Sequence, residues 1–321
     1  MTRVLVTPRS LTSGGDELVA PLADAGYEVV LGGAGRQPTE EELLELLPGC
    51  VGWVAGVEPI GARVLDAAPD LRVISRNGAG IDNIDLDAAR EREIEVIRAD
   101  GANARGVAEL TVALYLACAR GIVPSSAALR AGRWEREIGG EAAGRTLGVV
   151  GAGAIGRMVL ELARGLGMGT LATDPYAPAG LFDGTDTRLV ELEQLLERAD
   201  AVSLHRPAPD DGRAVIGADE LALMRPGAIL INTARASLVD DDAALAALQE
   251  GRLAAYATDV FETEPPGPSP LLAHPRVLAT PHIGGFTRDS VRRAAAAAIE
   301  NLLTALGANG GIENAAGGIR S

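Results

Sequence analysis

Apolar positions recur along the first hundred residues as short runs separated by amphipathic stretches. The runs 3–7, 28–31, 51–54, 71–75 and 94–97 are four or five residues long, as the buried strands of a parallel sheet require. Between them, 16–25, 40–47, 62–67 and 86–92 carry apolar residues at helical spacing. Strand and helix in alternation predict a parallel sheet covered on both faces, with right-handed crossovers.

The alternation restarts near residue 147. Strands are expected at 147–150, 168–173, 201–204, 228–232, 254–258 and 277–280, with helices at 154–165, 189–198, 219–224 and 241–250. Six strands is the number a dinucleotide-binding sheet uses. Between the two series, 102–120 reads as one long helix. It is apolar all round from Val112 to Ala119, so most of its faces are expected to be covered, in a core or at a subunit interface. A last, alanine-rich helix at 288–306 has no strand after it and is expected to cross back over the first unit. The tail 307–321, rich in Gly, Ala and Asn, shows no clear periodicity. The fold class is therefore α/β, with two doubly wound parallel-sheet domains: 1–98 with 287–321, and 99–286.

The sharpest local signal joins the strand at 147–150 to the helix after it. Gly151, Gly153 and Gly156 stand at G-x-G-x-x-G spacing. The first permits a tight turn, the second lets the backbone approach a pyrophosphate, and the third lets helix pack on strand. The amides of Ala154, Ile155 and Gly156 open the helix, whose positive end suits phosphate. Asp174 closes the next strand, 23 residues beyond Gly151. Its carboxylate would accept from both ribose hydroxyls of NAD and repel the extra phosphate of NADP.

Composition narrows the chemistry. The chain has 321 residues, 47% hydrophobic and 23% charged, but only 3% aromatic, so the cores must be built from Ala, Val, Leu and Ile. A net charge of −15 argues against a nucleic-acid partner, while a local arginine cluster can still bind an anion. All 29 basic residues are arginine, which excludes Schiff-base lysine and phosphate-loop lysine chemistry. Cys50 and Cys118 form no disulfide framework or zinc spacing, and no metal is expected. The N-terminal residues lack a secretory apolar region, and no apolar run reaches about 18 residues, so neither export nor a membrane is expected and a cytoplasmic location is. His205, His274 and His282 are the residues expected to titrate near neutrality.

Ligands bind beyond the carboxyl ends of strands in open parallel sheets. Three successive strand ends of the second series place Thr233, Ala234 and Arg235, then Asp259 and Glu264, then His282 and Gly284 beside the glycine loop. A 2-hydroxy acid giving hydride to a nicotinamide must also lose its hydroxyl proton, which suits His282. Glu264 is the candidate to fix the tautomer of that imidazole. Arg235 can grip a carboxylate through its planar fork. Taken singly, each also reads as an ordinary turn residue or surface ion pair.

The motifs GAGAIG, LHRP, INTARASLVD, DVFETEPP and TPHIGG, in this order over nearly the whole chain, resemble the D-isomer-specific 2-hydroxyacid dehydrogenase family. The resemblance implies a Rossmann cofactor domain inserted into a flavodoxin-like substrate domain, NAD as cofactor, and a homodimer held partly by the helix at 102–120. By motif it makes Arg235 the substrate-binding arginine, Glu264 the paired acid and His282 the acid/base. It also adds His205 to the cofactor contacts. Three stretches, 75–89, 101–114 and 132–137, look like phosphoglycerate dehydrogenases in particular. They imply a substrate end lined by Arg76, Asn77, Gly78, Ala79, Asn103 and Arg136, with Arg76 and Arg136 able to face a phosphate or phosphonate. Arg136 reads equally as a solvated arginine on a charged stretch. Two positions depart from the pattern: Ala55-Gly56-Val57 stands where human-type relatives carry an arginine, and Ala236 where the family usually has Gly. No appended regulatory domain, and so no serine feedback through one, is expected. The substrate is then a 2-hydroxy or 2-keto acid, with glyoxylate, hydroxypyruvate and phosphonopyruvate as alternatives to phosphoglycerate. A non-catalytic NAD(H)-sensing protein is the competing class.

Overall fold

The computed structural model of the chain describes residues 2–14, 16–209 and 211–307. It divides into two compact units, Met1–Asn103 joined by the chain from Arg288 on, and Ala104–Thr287. The second unit is thus inserted, in sequence, into the first.

The first unit contains β1 (Arg3–Val6), α1 (Arg9–Thr12), α2 (Asp16–Asp24), β2 (Glu28–Leu31), α3 (Glu40–Leu46), β3 (Cys50–Ala55), α4 (Ala62–Asp66), β4 (Val73–Arg76), α5 (Leu86–Glu91) and β5 (Glu95–Arg98). All pairs are parallel, in the order β2-β1-β3-β4-β5. Alternate strand residues face opposite layers, as a period of two demands. Leu5, Trp53 and Ile74 pack with α3, α4 and α5 residues such as Leu43, Val64 and Ala88. Val4, Val6, Val54 and Val73 pack on the other face against α2 and the last helix. That helix, α12 (Arg288–Ala305), presents Ala295, Ala298, Ile299 and Leu302 to the sheet, so the chain does return to its first unit. Its Arg293 donates to the Ala102 carbonyl at 2.9 Å.

The inserted unit contains α6 (Ala104–Ala119), α7 (Ile122–Arg130), β6 (Thr146–Val150), α8 (Ala154–Gly165), β7 (Gly169–Thr173), β8 (Arg188–Leu189), α9 (Leu192–Arg198), β9 (Ala201–Leu204), α10 (Ala218–Leu223), β10 (Ala228–Asn232), α11 (Asp241–Gln249), β11 (Leu253–Thr258) and β12 (Val277–Ala279). Its sheet is parallel throughout, in the order β12-β11-β10-β9-β6-β7-β8. Leu230 and Tyr256 face α9, α10 and α11 through Leu196, Leu221 and Leu248. Ile229, Ile231 and Ala257 face α6 and α8 through Leu114, Tyr115, Val159 and Leu160.

Three local features differ from the sequence reading. A seventh strand, β8, pairs Arg188 and Leu189 with Leu171 and Ala172, taking its second residue from the expected start of a helix. The expected single helix at 102–120 stops at Ala119, and α7 starts after Gly121, which holds φ 55°. The apolar stretch of α6 is only half covered: Leu114 and Tyr115 are buried, while Ala113 is exposed. No single described helix is long and apolar enough to cross a membrane. Residues 308–321, nearly all of the glycine-rich tail, lie outside the described residues.

Candidate active site

The glycine loop fits a dinucleotide. Gly151 holds φ 99°, and a Cβ there would sit 2.4 Å from the His205 carbonyl oxygen. At Gly156 a Cβ would sit 2.0 Å from the Gly151 carbonyl oxygen, so α8 closes onto the end of β6 only because Gly156 lacks a side chain. Gly153, by contrast, faces open space and caps α8 with no side-chain bond. The first amides of α8 therefore point at a cradle shaped for an anion. Asp174, at the end of β7, anchors the far wall. Its carboxylate accepts from the amides of Ala152 at 2.8 Å and Tyr176 at 2.9 Å.

His205 follows β9 directly, and its backbone amide donates to the Val150 carbonyl at 2.7 Å. Its Nε2 lies 2.8 Å from the Ser203 hydroxyl, while its Nδ1 is buried with no partner among the described residues. Burial pushes this imidazole down to about 3. His205 is thus neutral at physiological pH, which corrects the expectation that all three histidines titrate near neutrality. The neutral ring, with one unused buried nitrogen, follows the backbone that packs against the glycine turn.

The turn after β10 is built by Asn232, which is fully buried. Its Nδ2 donates to the Arg235 carbonyl at 2.8 Å, and its Oδ1 accepts from the Ala234 amide at 3.1 Å. Thr233 adds a 3.0 Å contact to the Thr111 hydroxyl of α6. These bonds aim Arg235, whose Nη1 also donates to the Ala234 carbonyl at 2.7 Å. Ala236, the departure from the usual glycine, opens a short 3-10 turn without disturbing this arrangement.

The turn after β12 is tied to the end of β11. Asp259 is 1% exposed and accepts from the Thr280 hydroxyl at 2.6 Å, the Ile283 amide at 2.8 Å and the Gly284 amide at 2.7 Å. Its three donors bracket His282, which adopts φ 51°, a left-handed conformation that a side chain resists. The imidazole Nδ1 lies 2.8 Å from both Glu264 carboxylate oxygens. Nδ1 therefore carries the proton that Glu264 accepts, and Nε2 is left to exchange one. His282 and Glu264 are both partly open to solvent, with side-chain exposures of 53% and 40%.

Sequence order alone thus brought Arg235, Asp259, Glu264 and His282 to adjoining ends of β10, β11 and β12. The positioning bonds of Asn232 and Asp259 went unread, because nothing in a local pattern announces which buried polar residue will meet which amide. The family model described as D-isomer specific 2-hydroxyacid dehydrogenase, NAD binding domain, matches residues 112–284. This span holds the glycine loop and all three strand-end turns.

The chain belongs to the D-isomer specific 2-hydroxyacid dehydrogenase family.

Family members of known name share much of the sequence. D-3-phosphoglycerate dehydrogenase of Methanocaldococcus jannaschii is 41% identical over 82% of this chain and 51% of the relative. Hydroxypyruvate reductase of Thermotoga maritima is 37% identical over 84% of this chain and 89% of the relative. The chain thus spans about half the length of the phosphoglycerate dehydrogenase that it matches. Among solved structures, the TT0316 protein of Thermus thermophilus superposes with a TM-score of 0.85, at 38% identity over 95% of this chain and 97% of that one.

The remaining expected contacts lie elsewhere. Arg76 ends β4 in the first unit, Asn77, Gly78 and Ala79 follow it, and Asn103 ends that unit's first segment. The Arg76 guanidinium folds over its own loop, with Nη1 donating to the Asn77 carbonyl at 2.7 Å. Arg136 stands on the exposed stretch after α7. Among the described residues no cluster of three metal-ligating side chains occurs.

Proposed function

We propose that the protein is an NAD-dependent oxidoreductase interconverting a D-2-hydroxy acid and its 2-keto acid. The observation that carries this reading is the doubly contacted His282–Glu264 pair, at 2.8 Å, set one strand end away from Arg235. NAD, when bound, supplies hydride transfer at its nicotinamide ring. Arg235 grips the substrate carboxylate and draws electron density from the C2 oxygen. His282 Nε2 takes the C2 hydroxyl proton in oxidation and returns it in reduction, while Glu264 holds the ring in orientation and balances the imidazolium. Asp259 fixes the turn that carries the base. Asp174 favours NAD over NADP through the ribose hydroxyls.

The test is replacement of His282 by Ala. Turnover of a 2-keto acid with NADH is expected to fall by about 10²- to 10⁴-fold while NADH still binds. Turnover near that of the unaltered protein would refute the assignment.

The segment carrying α7 supports assembly with a second copy. It exposes Ile122, Val123, Leu129, Trp134 and Ile138, the last two at 79% and 104%. Large apolar groups gathered on one segment mark an interface. Light scattering should return twice the chain mass, and Trp134→Glu with Leu129→Glu should return one chain mass.

A further inference from the structure

Within the inserted unit, the first half of α6 touches both loops that carry the reaction's side chains. Thr111 is 1% exposed and stands four residues after Val107, on the same face of the helix. Its hydroxyl lies 2.9 Å from the Val107 carbonyl and 3.0 Å from the Thr233 hydroxyl. A hydroxyl has one proton and a carbonyl can only accept. Thr111 therefore donates to Val107, and Thr233 is the donor to Thr111. The bonds run one way, from Thr233 through Thr111 to the Val107 carbonyl, and bonds in series strengthen one another. Thr233 stands two residues before Arg235, so this chain fastens the Arg235 loop to the helix.

The Val107 side chain meets the other loop. Gly284 stands two residues after His282, and its amide donates to the buried Asp259 carboxylate at 2.7 Å. A Cβ on Gly284 would sit 3.3 Å from Val107 Cγ2 and 3.1 Å from Asp259 Oδ2. The His282 loop is thus seated directly on Val107, with Asp259 holding it there. Strand pairing does not join the two loops. Arg235 follows β10 and His282 follows β12, and β11 lies between those strands. The helix contacts both.

We propose that α6 fixes the spacing between the Arg235 and His282 loops, with Thr111 and Val107 as positioning residues. The substrate carboxylate and the C2 oxygen sit on adjacent carbons, so the groups that grip the one and protonate the other must keep a set separation. A misplacement of about 1 Å can cost about a hundredfold in rate. Each residue acts through its loop and not on the substrate. The inference rests on the dehydrogenase reading and adds to it what holds the two loops in register.

The test follows NADH-linked reduction of hydroxypyruvate, glyoxylate and pyruvate, beside NADH affinity and thermal unfolding. It uses the unaltered protein, Thr111→Val, Thr111→Ser, Val107→Ala and the double variant Thr111→Val with Val107→Ala. Thr111→Val keeps the shape and removes the hydroxyl. It should raise KM for the best keto acid about fivefold or more, with NADH affinity within about twofold, and Thr111→Ser should restore it. Val107→Ala should lower kcat about threefold or more. Because both residues set one spacing, the double variant should retain at least about threefold more kcat/KM than the product of the single losses allows. Folded single variants with KM and kcat within about twofold of the original overturn the inference. So does a double variant whose loss equals that product, since the helix would then be two separate supports. If Thr111→Val does not fold, Thr233→Val breaks the same bond from the other side and takes its place. If the unaltered protein binds NADH yet reduces none of the three acids, the dehydrogenase reading fails and the inference with it.

Discussion

Both carboxylate oxygens of Glu264 lie 2.8 Å from Nδ1 of His282, so the acid faces the ring nitrogen end-on with its whole charge. The two residues come from different strand ends, β11 and β12, and the pairing survives although both side chains are partly solvated. An exposed ion pair contributes little to stability. Its weight falls on which nitrogen holds the proton. Glu264→Gln keeps an acceptor of the same shape but removes the charge that balances the imidazolium. It is expected to lower kcat roughly a hundredfold, with the melting temperature and NADH affinity unchanged. Steady-state kinetics beside thermal unfolding will separate these outcomes, and a kcat within twofold of the original would deny the pair a role in proton transfer.

Asp259 is the residue on which that geometry depends. His282 sits at φ 51°, and non-glycine residues stay in such conformations only where surrounding bonds over-determine them. Three of those bonds end on one buried carboxylate, from Thr280, Ile283 and Gly284. Asp259→Ala leaves all three donors unpaired and is expected to destabilise the protein by about 2–4 kcal/mol. Asp259→Asn keeps one good acceptor, so it should fold and yet lose more than about tenfold in kcat as the turn relaxes. Urea unfolding and kinetics on the two variants would check both numbers.

The contrast between these two pairs shows what the sequence made legible. Strand ends could be read from apolar runs because burial on both faces leaves a continuous Val, Leu and Ile signal. Chemistry-bearing residues just past those ends, such as Arg235 and His282, then fell into place. Asp259 could be placed beside the cofactor loop but not assigned its three donors, which lie more than twenty residues away and form only when β11 and β12 pair. The break after Ala119 was hidden because the apolar pattern runs through it, and only a left-handed glycine at 121 divides α6 from α7. The bond from Arg76 Nη1 to the Asn77 carbonyl is likewise invisible in the strand pattern, because it depends on how the chain turns after β4.

Asp174 offers a direct measurement of cofactor choice. Its oxygens accept from the Ala152 and Tyr176 amides, so the carboxylate is held in place before any ribose arrives. Asp174→Asn retains an acceptor for one of those amides while removing the charge that would repel a 2′-phosphate. The ratio of kcat/KM for NADH over NADPH is expected to fall by about tenfold or more, mostly through the KM for NADPH. An unchanged ratio would show that discrimination lies elsewhere in the loop after β7.

His205 links the cofactor side of the inserted unit to the pH dependence of folding. Burial holds its imidazole down at about 3, against an ordinary value of 6.5 in the unfolded chain. Between those values the unfolded chain takes up a proton at this position and the native protein does not. Acid therefore favours unfolding: the stability from keeping His205 neutral is complete above pH 6.5 and is lost as pH falls toward 3. The slope for one such group is about 1.4 kcal/mol per pH unit once the unfolded histidine is protonated. His205→Asn preserves a polar side chain at the end of β9 and removes the titration. Urea unfolding at pH 7.5, 6 and 5 should show the unaltered protein losing stability faster than the variant, with the difference closing by up to about 2 kcal/mol by pH 5. Parallel losses in the two proteins would mean that the ring can reach water and protonate without unfolding.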